Sequence, residues 1–149
     1  MIGTIAAVAL VATSFVGTPD SAERTWHHTK PSRGIHADVV KEAAQIPKKH
    51  RSWAMCVSKR ESHHNYRARN PRSSAAGRWQ FLDTAWRQGL SHMVRDRLVE
   101  HGMPKQQAKK VRAYLADRNI AKWPGPYQDI GFNEVVARGG KHHWAGPGC

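Results

Sequence analysis

The apolar residues in the C-terminal two-thirds of this chain recur at helical spacing, which limits the folds that the chain can adopt. The clearest stripe follows Asp83-Thr84, a suitable N-cap, and stops at Gly102, a residue typical of a helix C-terminus. Its members are Trp86, Leu90, Met93, Val94 and Leu98. A second stripe follows Pro104 and comprises Ala108, Val111, Leu115 and Ile120. Since no run of apolar residues alternates, the sequence predicts an all-α domain of four or five helices around a small core.

The 149 residues suit one domain, preceded by two segments of different character. Residues 1–22 contain an apolar stretch, Ile5 to Val16, that is typical of a signal peptide or an N-terminal anchor. A wrongly assigned start codon is the alternative. Residues 23–51 are polar and basic and are interpreted as a linker, with a short helical patch around Asp38 to Ile46 that Pro47 stops. The domain is therefore expected to span residues 52–149 and to be secreted or to lie in the cell envelope.

The net charge of +13 indicates a polyanionic environment. The basic residues are spread from Arg24 to Lys141, which favours a cationic body over a nucleic-acid-binding tail. Nucleic acid, acidic lipid and an anionic cell wall all remain partners of suitable charge.

Glu61 is the residue most suggestive of chemistry. A helix capped by Ser52 places Trp53, Val57 and Glu61 on one face, since these residues are four positions apart. A carboxyl group held against apolar surface stays protonated more readily and can act as a general acid. The alternative is a surface carboxylate that pairs with nearby cations such as Lys59 and Arg60.

A turn containing Gly77 then delivers Gln80 among aromatic residues, an arrangement suited to binding a sugar. Trp79 flanks this amide, whereas Trp53 and Trp86 lie on helix stripes and are expected in the core. Trp123 and Trp144 lie near chain breaks, where they can pack on loops or stack on sugar rings.

A second catalytic carboxylate, usual in glycosidases, is not evident. Asp83 is better used as a helix cap, and Asp129 and Glu134 are interpreted as solvated residues of a last helix from Tyr127 to Arg138. A single acid suits a reaction in which a hydroxyl group of the substrate itself attacks.

The two cysteines, Cys56 and Cys149, form a disulfide if the chain is exported and are separate buried thiols if it is not. The disulfide would close a loop of about 90 residues and stabilise the fold by roughly 4–5 kcal/mol. Neither cysteine has a partner at zinc-ligand spacing, and the adjacent histidine pairs are poor chelators, so no metal or other cofactor is expected.

Residues 52–149 resemble the lysozyme-like lytic transglycosylase group. The chain is most similar to the catalytic domain of resuscitation-promoting factors from actinobacteria and to related phage cell-wall enzymes. The matching residues are Trp53, Cys56, Glu61-Ser62, Tyr66, Gly77, Gln80-Phe81, Thr84, Trp86, Arg138-Gly139, Trp144 and Cys149. Two features depart from this pattern: His63-His64 stand where the family often has two glycines, and residues 88–126 form a longer, more basic segment.

The resemblance implies a small lysozyme-like fold, a Cys56–Cys149 disulfide and Glu61 as the general acid/base. It further implies that Gln80, Ser62, Tyr66, Trp79 and Trp144 border the glycan. The expected reaction is cleavage of the β-1,4 bond between N-acetylmuramic acid and N-acetylglucosamine in peptidoglycan, by hydrolysis or with formation of an anhydro product.

The expected partners are peptidoglycan glycan strands and anionic wall polymers, bound by a monomer with no specific nucleic acid. A wall-binding module without catalysis, and a basic nucleic-acid-binding or virion protein, are the alternative functions.

Overall fold

The computed structural model describes residues 35–149, so the signal or anchor segment predicted over residues 1–22 lies outside the described residues. The described chain runs through five α-helices, one β-hairpin and two 3-10 helices. They are α1 (Ile35–Ala43), α2 (Lys48–Ser62), β1 (Ala75–Ala76), β2 (Phe81–Leu82), α3 (Asp83–Glu100), α4 (Lys105–Ala116), a 3-10 helix (Ile120–Lys122), α5 (Gly125–Ala137) and a 3-10 helix (Gly140–Trp144). None of the described helices has the length and apolar character needed to cross a membrane.

The prediction of a mainly helical domain with four or five helices is confirmed. The hairpin is the element that the sequence pattern did not indicate. Its strands are antiparallel, with Ala75 opposite Leu82 and Ala76 opposite Phe81. Two residues per strand are too few to produce a visible alternation of apolar and polar positions.

The packed domain begins earlier than residue 52, which corrects the extent of the predicted linker. The helical patch expected near Asp38 to Ile46 is present as α1, and Ala43 on this helix is 1% exposed. Helix α2 begins at Lys48, directly after Pro47, and not at Ser52. Residues 35–51 join the fold because their few apolar side chains, such as Val40 and Ile46, pack against the core.

Asp83 is not the cap of α3, as the sequence suggested, but the first residue inside that helix. The cap position is occupied by Leu82, which makes no side-chain capping bond. The buried carboxylate of Asp83 instead accepts a hydrogen bond of 2.7 Å from the backbone N–H of Ile120 and pairs with Arg87. Asp83 therefore ties the start of α3 to the loop before α5.

Two groups of side chains form the core. Helices α3 and α4 pack against each other through the two stripes seen in the sequence, including Leu90, Leu98 and Leu115, all fully buried. The second group is aromatic: the Trp79 and Phe132 rings stack with centroids 3.7 Å apart, and Trp144 lies 4.9 Å from Phe132. This aromatic group joins the hairpin turn to α5 and the C-terminal 3-10 helix.

Cys56 and Cys149 form a disulfide, with their Cα atoms 5.7 Å apart. This confirms the pairing that export or the family resemblance implied. The bond fixes the last residue of the chain to the middle of α2, one turn before Glu61.

Candidate active site

Glu61 lies in the last turn of α2, with 27% of its side chain exposed. Its Oε1 accepts two hydrogen bonds from Arg60, at 2.8 Å from Nη2 and 3.0 Å from Nε. The expectation of a carboxyl group held dry against apolar surface is therefore wrong. Glu61 stands at the flank of the buried face of α2, beside a cation; the buried residues of this helix are Ala54, Val57, Ser58 and Ser62.

Arg60 connects Glu61 to the C-terminal segment. The same Nη2 that binds Glu61 also donates to the backbone carbonyl of Trp144, at 2.9 Å. Gly146 lies against the guanidinium, since a Cβ at that position would be 3.0 Å from Arg60 Nη1. The carboxylate is thus oriented by a side chain that the disulfide-tethered segment holds in place.

Ser62 connects α2 with the turn of the hairpin, and Gln80 lies within that turn. Ser62 is buried, and its hydroxyl donates to the Arg78 carbonyl at 2.8 Å, so its predicted contact with substrate is not supported by this geometry. Gln80 is half-buried in the turn of the hairpin, with a positive φ of 53°. Its Nε2 donates to the Gly77 carbonyl at 2.9 Å, which fixes the direction of the amide.

Trp79 and Trp144, both predicted to face the glycan, are instead core residues, with 0% and 5% of their surface exposed. The Nε1 of Trp144 donates to the Trp79 carbonyl, and the Nε1 of Trp79 donates to Asp129. Both indole N–H groups are satisfied inside the protein, so neither ring offers a free face or donor to a ligand.

Asp129 is a mostly buried carboxylate, with 13% of its side chain exposed, although the sequence pattern assigned it to solvent. Its Oδ2 accepts from the Tyr66 hydroxyl at 2.7 Å, and its Oδ1 accepts from Trp79 Nε1 at 3.0 Å and Arg78 Nη1 at 3.3 Å. Burial raises the pKa of Asp129, against the opposing effect of the hydrogen bonds from Tyr66, Arg78 and Trp79. The signal that was missed is its spacing, three residues before the buried Phe132 of α5.

Tyr66 belongs to this network and is half-buried. Burial, followed by the hydrogen bond to the Asp129 carboxylate, raises the pKa of Tyr66 to about 12. Arg78 extends the network in the other direction, since its Nε donates to Ser58 Oγ at 2.7 Å. Ser58 in turn lies 2.7 Å from His64 Nδ1. No sequence signal marks Arg78, because a mostly buried arginine is indistinguishable from an exposed one in a chain this basic.

Glycine is required at position 77 because the Gln128 side chain packs closely against it, as well as because of the turn. Its φ is +79°, and a Cβ at this position would overlap Oε1 of the buried Gln128. That oxygen accepts the backbone N–H of Arg78 at 2.8 Å. Gly77, which was predicted to position Gln80, therefore also leaves room for the side-chain amide of Gln128, which accepts a hydrogen bond from the turn.

Two surface depressions border these residues. A groove of about 410 Å³ is lined by Cys56, Lys59, Arg60, His63 and Pro147–Cys149. Arg60, which hydrogen-bonds Glu61, is therefore part of its wall. A larger groove of about 700 Å³ is lined by Tyr66, Arg67, Arg69 and residues 121–125. Among the described residues, no group of three or more His, Cys, Asp or Glu side chains is arranged to hold a metal ion.

Comparisons with protein-family models, curated proteins and solved structures found no match to this chain. The functional interpretation therefore depends on the residues of the site itself.

Proposed function

We propose that this protein cleaves the β-1,4 glycosidic bond of peptidoglycan, with Glu61 as its single general acid/base. The observation that carries the proposal is a partly exposed carboxylate at the end of a helix that is anchored on three sides. The Cys56–Cys149 disulfide, the Ser62–Arg78 hydrogen bond and the Arg60–Trp144 hydrogen bond provide these anchors. Rigid support of this kind is what a catalytic group requires.

The backbone after Glu61 adds support from the family resemblance. His63 and His64 have φ values of 53° and 65°, in the left-handed region that favours glycine. These are the two positions where the related enzymes often have glycine. The backbone at these two positions therefore has the conformation that glycine favours, although histidines occupy them.

In the proposed reaction, Glu61 donates its proton to the glycosidic oxygen as the bond from that oxygen to C1 of the muramoyl unit breaks. The ionised Glu61 then accepts a proton from the attacking hydroxyl group. If that group is the muramoyl 6-hydroxyl, its oxygen bonds to C1 and an anhydro end results; if it is water, the product is a reducing end. The two products differ by one water in mass, so mass analysis of the released muropeptides distinguishes them.

A bound glycan would exclude water from the partly exposed carboxyl group and from its hydrogen bonds with Arg60. Arg60 retains the Trp144 carbonyl as a hydrogen-bond partner when Glu61 is neutral. Arg60 is accordingly a positioning residue that keeps the carboxyl group directed along the end of α2.

The decisive experiment measures clearing of purified peptidoglycan by the parent chain, Glu61→Gln and the control Glu100→Gln. Glu100 also pairs with an arginine, Arg97, but lies at the far end of α3. We expect Glu61→Gln to reduce the rate at least about 100-fold, the usual contribution of a general acid, and Glu100→Gln to leave it unchanged.

Undiminished clearing by Glu61→Gln would contradict the proposed mechanism. A wall-binding module without catalysis predicts instead that all three chains sediment with peptidoglycan and that none clears it.

A further inference from the structure

The larger groove carries a concentration of unneutralised positive charge. Arg67, Arg69 and Lys122 line it, and all three side chains are exposed. No aspartate or glutamate is among the lining residues. Within residues 35–149, none of the three cations forms an ion pair with another described residue, whereas many other arginines of the domain do.

The two walls of this groove are held together by one buried side chain. Nε2 of Gln128 lies 2.9 Å from the Tyr66 carbonyl on one wall and 3.0 Å from the Trp123 carbonyl on the other. The Gly125 backbone packs against the Tyr66 ring, where a Cβ would approach to 3.0 Å. The groove is therefore a feature built by the fold and not a gap between mobile loops.

The backbones that carry the two arginines are fixed as well. The N–H of Arg67 donates to Asn65 Oδ1 at 2.8 Å, and Arg69 pairs with Ala76 of the hairpin in an isolated β-bridge. The two arginines thus stand at anchored backbone positions, Arg67 in a turn and Arg69 in the bridge that follows it. Arginine suits phosphate because its planar fork can donate two parallel hydrogen bonds.

We propose that this groove binds the phosphodiester backbone of an anionic wall polymer of the poly(glycerol phosphate) type. A volume of about 700 Å³ lies within the range of small-ligand sites, so the groove has room for a short stretch of such a chain. The choice of a wall polymer over other polyanions rests on the proposed function, whereas the phosphate chemistry rests on the groove alone.

The surface favours a polymer without bases over a single-stranded nucleic acid. Proteins that bind single strands stack bases on accessible aromatic rings. No Trp, Tyr or Phe in the described part of the chain is exposed, and the two aromatic residues of the groove are half-buried Tyr66 and buried Trp123. Recognition here depends on charge and on the arginine forks.

The test measures binding of fluorescent poly(glycerol phosphate) by anisotropy at several salt concentrations, with duplex DNA of equal phosphate number and uncharged dextran as comparison ligands. The variant is Arg67→Ala/Arg69→Ala/Lys122→Ala. The control is Lys105→Ala/Lys109→Ala/Lys110→Ala, which removes the same charge from exposed positions of α4. Thermal melts verify that both chains are folded.

We expect the groove variant to bind the polymer at least about tenfold more weakly, and its slope of log affinity against log salt to fall by about two, near 0.7 for each lost contact. The control should lose less than about threefold. Equal losses in both variants would overturn the proposal, because net charge alone would then explain binding. Tighter, groove-dependent binding of DNA would overturn the assignment to a wall polymer.

The outcome is independent of catalysis. Glu61→Gln should bind the polymer as the parent does, so loss of wall clearing without loss of polymer binding leaves the groove assignment intact. Conversely, a groove that binds no polymer leaves the Glu61 mechanism standing.

Discussion

Two carboxylates, Glu61 and Asp129, lie in contrasting surroundings within the same domain. Glu61 is partly exposed and has one cationic neighbour, Arg60, on its own helix. Asp129 has 13% of its side chain exposed and accepts hydrogen bonds from Tyr66, Trp79 and Arg78, which come from other parts of the chain. The comparison shows that the mostly buried carboxylate joins several parts of the fold, while the more accessible one is hydrogen-bonded to a residue of its own helix.

The two sides are also stabilised in different ways. The Glu61 side is held from outside, by a disulfide and by the C-terminal segment that it tethers. The Asp129 side is held from within, by side chains that satisfy one another's hydrogen bonds. Removing the disulfide and removing the Asp129 hydrogen bonds should therefore change the stability of the domain by different amounts and in different ways.

The largest expected effect follows from removing the disulfide with Cys56→Ser/Cys149→Ser. The cysteines are 93 residues apart, so the chain-entropy model gives a loss of about 4–5 kcal/mol in the free energy of unfolding. Denaturant melts of the double variant, and of the parent with and without reductant, measure this loss. Equal stability of the oxidised and reduced parent would show that the C-terminal segment contributes little.

The next effect compares the two carboxylates directly. Asp129→Ala leaves Arg78, 11% exposed, without its ion partner and should cost about 3–5 kcal/mol. Glu61→Ala removes a pair in which both side chains are more than a quarter exposed and should cost at most about 1 kcal/mol. Urea melts of both variants measure the difference, and a cost for Glu61→Ala as large as that for Asp129→Ala would show that the two carboxylates contribute equally to stability.

The pattern of apolar residues was sufficient to predict the helices but not the surroundings of these carboxylates. The stripes of α3 and α4 are long and periodic, and both helices appear where they were expected, except that Ile120 belongs to the 3-10 helix after α4. Glu61 was assigned to the wrong side because spacing by four from Val57 does not show on which flank of the stripe a residue falls. Asp129 was missed because its partners, Tyr66 and Trp79, are distant in sequence and only the fold brings them together.

Trp79 and Trp144 were placed wrongly for the same reason, since local sequence does not show which distant residues a side chain contacts. Trp79 follows a glycine turn, a position that in isolation is typical of an exposed aromatic residue. In the structure the turn returns the chain toward α5, and the ring stacks on Phe132. A residue's local sequence context therefore predicted the turn correctly but not the direction of the side chain beyond it.

A third effect should appear at alkaline pH. The folded state retains the proton of Tyr66 up to a pKa of about 12, whereas an unfolded chain loses it near 10. This contribution to stability is therefore complete below pH 10 and is lost as the pH rises toward 12. Two pKa units correspond to at most about 2.7 kcal/mol, and the partial exposure of Tyr66 lowers that figure.

Absorbance titration of the parent and Tyr66→Phe separates this residue from the two other tyrosines of the chain. The difference between the two curves should show one tyrosine ionising well above pH 10, together with unfolding. A Tyr66 that ionises near its ordinary pKa in the folded protein would mean that the network around Asp129 does not enclose it.

The smallest effect concerns the backbone beside Glu61, where His63 ends α2 with a φ of 53°. A side chain in this left-handed conformation is strained, so His63→Gly should raise the free energy of unfolding by about 0.5–1 kcal/mol despite the greater freedom of glycine in the unfolded chain. His92→Gly, at an exposed position inside α3, should lower it by roughly 0.3–0.5 kcal/mol, the difference in helix propensity between histidine and glycine. Because both changes replace histidine by glycine, opposite signs in thermal melts would isolate the backbone strain. If His63→Gly also destabilised the protein, the His63 side chain would make a compensating contact, and the strain beside Glu61 would be offset on its own side of the domain.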